Sequence, residues 1–202
     1  NLSPDAEITL EANPGTIKET LEIEKLKALR EVGINRISIG VQSFSPEKLG
    51  FLGRIHSPDD TKKAVENARR AGFGNLNLDL IFGTKDEKLD SWKNDLEQAL
   101  SLEPEHISAY CLTIEPGTDF GRRFRKGENL QTTEENFSEM YQLSQNKLAK
   151  FGYRQYEISN YAKENKECKH NLHYWRRKEY LGLGAGAHSF ISNDWGIRFS
   201  NI

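Results

Sequence analysis

The chain has 202 residues, 36% hydrophobic and 29% charged, with a formal net charge of −2. That length suits one medium domain, or a domain and a half, with a real core. A mean hydropathy of −0.71 with no apolar run of about 20 residues excludes a membrane-spanning helix, and the near-neutral charge offers no global attraction to nucleic acid or acidic membranes.

The first strand is read at "AEITLEANP", where Ile8 and Leu10 alternate with Thr9 and Glu11 before Pro14-Gly15 ends the run. A helix is expected from Ile17 to Val32, with Ile23, Leu26, Leu29 and Val32 at near-helical spacing and Gly33 as its stop. "NRISIGVQSF" is the second strand. "SPDDTKKAVENARRAG" opens a helix with Ser57 as N-cap, Pro58 at the first helical position and Asp60 in capping-box position. Ala64, Val65, Ala68 and Ala71 form its buried stripe, and Gly72 ends it. "LNLDLIFG" is the third strand, followed by an amphipathic helix through Leu89, Trp92, Leu96 and Leu100. "EHISAYCLTI" is the fourth. Thr132 and Glu135 then cap a long helix that Gly152 closes.

This rhythm predicts an α/β fold with a parallel sheet and right-handed crossovers. Strand parity separates a doubly wound sheet from a barrel wall. Ile8/Leu10, Ile37/Ile39/Val41 and Leu78/Leu80 form one greasy face, suited to lie under helices. The opposite face reads Thr9/Glu11, Ser38/Gly40/Gln42, Asn77/Asp79 and Ala109/Cys111/Thr113, which is small or polar. A sheet covered by helices on both sides would be apolar on both; this one predicts a barrel with a solvated lumen. Glu11, Gln42, Asp79 and Thr113 fall near the C-terminal ends of their strands, where such barrels carry their chemistry. Each alone could be a strand-end residue making a turn; together at one mouth they read as a site. A hydrolytic acid/base pair from Glu11 and Asp79 is one reading, without a metal cluster or nucleophile elbow to support it. A small zwitterionic or ribose-bearing ligand is the other: the carboxylates would take an ammonium or hydroxyls, and Arg54 a carboxylate.

The motifs "EANPGT", "NRISIGVQSF", "LGRIH", "NLDLIFG" and "HISAYCLTIEPGTDFG", continued by "YEISNYA", "CKHNLHYW" and "YLGLGAGAHSF", resemble the radical-SAM family of oxygen-independent coproporphyrinogen III oxidase-like proteins. Within it the chain looks most like the HemW-type haem chaperones, through "HNLHYW" and "GLGAGAHSF". The resemblance implies a partial (β/α)6 barrel, four βα units being present over residues 1–130, and a family-specific α+β segment over 131–202. It implies S-adenosylmethionine held by Glu11, Gln42, Arg54 and Asp79, with Thr113 near the adenine through its backbone. It also implies a 4Fe-4S cluster, yet the family's C-x3-C-x2-C is absent, and Cys111 and Cys168 cannot replace three close thiolates. The chain is therefore expected to be a piece of a longer protein and unable to cleave S-adenosylmethionine by itself. A second departure lies at "GTKDEKLDSW", where the family has a Leu-Pro-Gly-Gln turn, so the loop at 84–88 is expected to close differently. The rival function within the family is the oxidase, which removes propionate carboxyls by a deoxyadenosyl radical.

The stretch from Tyr156 to Phe190 concentrates chemistry-bearing residues. Cys168, His170 and His173 give C-x-H-x2-H, three zinc ligands without a second knuckle. Gly182, Gly184 and Gly186 mimic a nucleotide fingerprint, but "HSFISNDWGIRFS" alternates like strands rather than opening a helix; a tight turn is the plainer reading. A haem reading uses more of the stretch: His170 as iron ligand, Tyr174 and Trp175 as flat faces, Arg176 and Arg177 for propionates. A loop histidine bonded to backbone remains the plain alternative for His170. "GRRFRK" at 121–126 reads as a solvated helix end rather than an RNA contact. The expected partners are haem or a porphyrinogen and a haem-acceptor protein. With no basic-then-apolar leader, Cys111 and Cys168 read as reduced thiols in a cytoplasm.

Overall fold

The computed structural model describes residues 3–192 and 195–201. In chain order the elements are β1 (Thr9–Ala12), α1 (Pro14–Ile17), α2 (Glu22–Glu31), β2 (Arg36–Gln42), α3 (Pro46–Phe51), α4 (Pro58–Arg70), β3 (Leu76–Phe82) and α5 (Leu89–Ser101). There follow β4 (His106–Cys111), α6 (Asp119–Arg125), α7 (Glu134–Lys150), β5 (Arg154–Gln155), β6 (Asn160–Ala162), α8 (Lys169–Trp175), β7 (His188–Ile191) and β8 (Ile197–Ser200). One sheet has the order β1-β2-β3-β4-β6-β5; β7 and β8 form a separate antiparallel hairpin. β1 to β4 pair in parallel, and β6 adds antiparallel to β4. The chain forms two compact units, Asn1–Lys166 and Glu167–Ile202.

The parallel run follows from the expected alternation of strand and helix. Ile37, Ile39 and Val41 of β2 and Leu76, Leu78 and Leu80 of β3 are all completely buried. They meet α4 through Ala64, Val65 and Ala68, and α5 through Trp92, Leu96 and Ala99. Each such large side chain stabilises by roughly 1.5–3 kcal/mol on burial. Phe82 stacks on Trp92 at 5.0 Å and on Phe137 of α7 at 5.4 Å. The Trp92 indole N–H is satisfied by Met140 O at 3.1 Å and Ser144 Oγ at 2.9 Å.

The start of α4 forms as expected: Ser57 Oγ accepts from the Asp60 N–H at 3.2 Å, and the Asp60 carboxylate accepts from the Ser57 N–H at 3.0 Å. That Ser57 backbone bond, with Lys18 at 3.1 Å, holds the Asp60 carboxyl below its ordinary range. Gly72, at φ +90°, closes the far end.

Three expectations are corrected. The helix expected over 17–32 begins only at Glu22, and Ile17 ends the short α1 instead; between them buried Asn67 of α4 donates to Ile17 O at 3.0 Å and Glu19 O at 3.1 Å. Those carbonyls belong to a tertiary contact and not to a continuous ladder. The N-cap of α7 is Thr133, which accepts from Asn136 N at 3.3 Å, one residue later than Thr132.

The third correction concerns the fourth strand. Its lumen row is His106, Ser108 and Tyr110, since Asn77 pairs with His106, Asp79 with Ser108 and Ile81 with Tyr110. Ile107 and Ala109 lie in the core with Cys111 packed against it, so the Ala109/Cys111/Thr113 face is the helix side.

Candidate functional site

Because β1 to β4 run parallel, their C-terminal ends share one edge of the sheet. Glu11, third of four residues in β1, is exposed there. Gln42 is the last residue of β2 and takes φ +64°, the left-handed region, which is uncommon outside glycine and asparagine. A bulge between Ile39 and Gln42 accompanies it. A Cβ on Gly40 would stand 3.0 Å from Gln42 Nε2 and 3.6 Å from Asn13 Oδ1, so the Gln42 amide folds back over Gly40 towards Asn13. Arg54, in the exposed turn after α3, donates to the same Asn13 Oδ1 at 3.4 Å. Gln42 and Arg54 are thus brought together around Asn13, a residue that sequence reasoning did not single out.

Asp79 lies in the middle of β3, further into the sheet than expected. Ser38 Oγ donates to its Oδ2 at 2.9 Å and Asn77 Nδ2 to its Oδ1 at 2.7 Å. Burial raises its carboxyl above the ordinary range, opposed by hydrogen bonds from Ser38, Ser108 and Asn77 and by the charge of Arg36. Thr113 stands two residues beyond β4, and its hydroxyl bends back to Cys111 O at 3.3 Å.

Beneath the cup runs a polar network that the misread parity of β4 concealed. Asn77 uses both sides of its amide: Nδ2 also donates to Ser38 Oγ at 2.7 Å, and Oδ1 accepts from His106 Nδ1 at 2.5 Å and Ser108 Oγ at 3.2 Å. With Asn77 Oδ1 as acceptor, His106 carries its proton on Nδ1, which leaves Nε2 to accept from the Tyr156 hydroxyl at 2.8 Å. Burial, with the Arg36 charge second, pushes the imidazole down to about 3, so the ring is neutral. Arg36 itself is buried, and its Nε has no hydrogen-bond partner.

The loop at 84–88 is fastened at three points. Lys85 N donates to Leu130 O at 2.9 Å, Asn136 Nδ2 donates to Glu87 O at 2.8 Å, and the Glu87 carboxylate turns inward to accept from Thr84 N at 3.0 Å.

In the second unit, the stretch expected to handle haem starts on a helix and not in a loop. His170 and Tyr174 are one turn apart on α8, with Tyr174 Oη 2.9 Å from His170 Nε2. Tyr174 rests edge-on against Tyr180 at 4.5 Å, and Trp175 is half exposed. Among the described residues no group of three His, Cys, Asp or Glu is placed to hold a metal, which removes the zinc reading of Cys168, His170 and His173. The glycine run is turn structure: a Cβ on Gly182 would collide with the His188 carbonyl, while Gly184 and Gly186 have φ of +96° and +70°. β7 and β8 follow as the alternation implied, with Asn193 and Asp194 between them outside the described residues.

Residues 2–99 match the Radical SAM superfamily model. The chain is 47% identical to the haem chaperone HemW of Escherichia coli strain K12 over 191 residues, covering 95% of this chain and 48% of the relative. It is 43% identical to HemW of Bacillus subtilis strain 168, covering 98% and 50% respectively. The chain therefore spans about half the length of the relatives it matches. Among solved structures, coproporphyrinogen III oxidase (HemN) from Escherichia coli, a radical SAM enzyme, superposes with a TM-score of 0.74 at 24% identity, covering 92% of this chain and 44% of that one. The fold is the partial barrel that the resemblance implied.

Proposed function

We propose, from the match of residues 2–99 to the radical SAM superfamily model, that the chain is part of a haem chaperone of the HemW type. The observation that carries this reading is identity of 37–47% to HemW chaperones along 94–99% of the chain. In the proposed function Glu11, Gln42, Arg54 and Asp79 hold S-adenosylmethionine, with Thr113 contributing backbone. The donor set fits such a ligand. Arg54 offers a guanidinium to a carboxylate, Glu11 and Asp79 offer acceptors to an ammonium or to ribose hydroxyls, and Gly40 leaves the space into which the Gln42 amide turns. When bound beside a reduced cluster, S-adenosylmethionine supplies a deoxyadenosyl radical. The residues of this chain do not fit a 4Fe-4S cluster: it holds two cysteines, Cys111 half-buried and Cys168 buried. In this reading the cluster ligands belong to the half of the protein that the relatives possess beyond this match.

Haem is assigned to the unit Glu167–Ile202, with His170 as ligand and Tyr174 and Trp175 as faces. Ligation requires His170 Nε2 to give up its contact with Tyr174 Oη. Delivery to an acceptor protein in the cytoplasm belongs to the same proposal. The test is a haemin titration of this chain and of His170→Ala, followed in the Soret band. Saturable one-to-one binding that His170→Ala weakens at least tenfold supports the chaperone reading. Equal binding by both proteins, or by neither, removes His170 from it. Decarboxylated porphyrinogen produced by the full-length protein would replace it with the oxidase.

A further inference from the structure

Outside the cup, one cation and two carboxylates are buried together. Lys48 of α3 places Nζ 2.5 Å from Glu87 Oε1 and 3.1 Å from Asp95 Oδ2. Lys48 is 6% exposed, Glu87 7% and Asp95 0%. The Lys48 ammonium also lies 5.2 Å from the centroid of the Trp92 ring. Charges are withdrawn from water at a cost that only close pairing and further hydrogen bonds offset, and here every further bond goes to the two loops that follow β2 and β3. Asp95 Oδ2 accepts from Ser43 Oγ at 2.7 Å and Asp95 Oδ1 from the Phe44 N–H at 2.7 Å. Ser43 Oγ in turn accepts from the Ser45 N–H at 3.0 Å. Glu87 Oε2 accepts from the Thr84 N–H at 3.0 Å and from Thr84 Oγ1 at 3.1 Å.

Ser43 and Phe44 directly follow Gln42, the residue held at φ +64°. On its other side, the Val41 carbonyl is taken by buried His56 Nε2 at 3.0 Å. A positive-φ glutamine persists only where its surroundings over-determine it: the Ser43 N–H closes a three-residue turn across Gln42 on Val41 O at 2.8 Å, and the bonds above fasten that turn on both sides. We propose that the Lys48–Glu87–Asp95 cluster is the positioning device for Gln42: it fastens the first residues beyond β2 and so holds Gln42 in the backbone conformation that folds its amide over Gly40 towards Asn13. The same ammonium ties the loop after β3 to the loop after β2. The functional consequence rests on the reading that Gln42 contacts S-adenosylmethionine; the backbone consequence does not.

The experiment uses this 202-residue chain with three substitutions. Asp95→Ala removes the acceptor for Ser43 and Phe44, Lys48→Met removes the shared cation, and Ser43→Ala cuts a single bond and keeps the test open if a charge variant fails to fold. The first readout is the backbone of Gln42 by NMR, through its HN–Hα coupling and Cα shift, with amide exchange at Phe44. The second is S-adenosylmethionine affinity by calorimetry. The expected result is loss of the left-handed signature at Gln42, Phe44 exchange at least tenfold faster, and affinity about tenfold weaker. Retention of the left-handed signature and of Phe44 protection in Ser43→Ala and in every folded charge variant would overturn the proposal. A Gln42→Ala full-length protein that binds S-adenosylmethionine as tightly as the unmodified one would overturn the assignment of Gln42 to that ligand, while the NMR readout still decides whether the cluster sets its backbone.

Discussion

The neutral, buried His106 makes the fold acid-sensitive in a way that can be calculated. Its imidazole titrates at about 3 in the folded chain, against an ordinary value of 6.5. Below 6.5 the unfolded chain takes up a proton that the folded chain refuses until about 3. The stability due to neutral burial is therefore complete above 6.5 and is lost as pH falls from there towards 3, by about 1.4 kcal/mol per pH unit. Between about pH 7.5 and about pH 5 the loss is about 2 kcal/mol. Asp79 acts in the opposite sense, because its folded carboxyl is raised and its contribution falls as pH rises through that value. The comparison is accordingly with His106→Gln, which leaves Asp79 in place. Urea unfolding at both pH values, followed by tryptophan emission, is the assay. Trp92 is completely buried, whereas Trp175 and Trp195 are 51% and 93% exposed, so the blue-shifted component reports the first unit. The unmodified chain should lose about 2 kcal/mol more than His106→Gln over that interval. Equal losses in the two proteins, within about 0.5 kcal/mol, would refute a buried neutral imidazole.

Gly40→Ala would bring a methyl within 3.0 Å of Gln42 Nε2 and displace the amide; calorimetry should show S-adenosylmethionine affinity at least tenfold weaker, with a thermal midpoint close to that of the unmodified chain. Ser57→Ala removes the side-chain acceptor at the start of α4 and should cost about 1 kcal/mol, or roughly 2–4 °C in Tm by differential scanning calorimetry. A larger loss would mean that the cap carries a tertiary role as well.

Much of the candidate site was legible because it rests on local pattern. Glu11 and Asp79 stand on strands whose apolar partners alternate cleanly, and two-residue periodicity assigns their face without any knowledge of neighbours; Gln42 stands beyond a bulge that pairs it with Leu80, which periodicity does not show. β4 was misread for a physical reason. Its two faces, His106/Ser108/Tyr110 and Ile107/Ala109/Cys111, each mix small and large side chains, so alternation alone does not rank them. The register against Asn77 and Asp79 does. His106 and Tyr156 were missed as a consequence, since their importance lies in a hydrogen-bond chain between separate strands and loops.

By itself the amino-acid sequence determined the βα rhythm, the caps at Ser57 and Gly72, the greasy face under the helices, and the family that the motifs resemble. These are short-range properties: periodicity, capping and turn chemistry act within a few residues. Only the tertiary structure decided where the expected helix over 17–32 breaks, which row of β4 faces the lumen, and why Gln42 is left-handed. Each depends on a partner far away in the chain: Asn67 for the carbonyls of Ile17 and Glu19, Asn77 for His106, and Asp95 for the residues beyond Gln42. Once removed from water, a polar group must find a partner wherever the fold provides one.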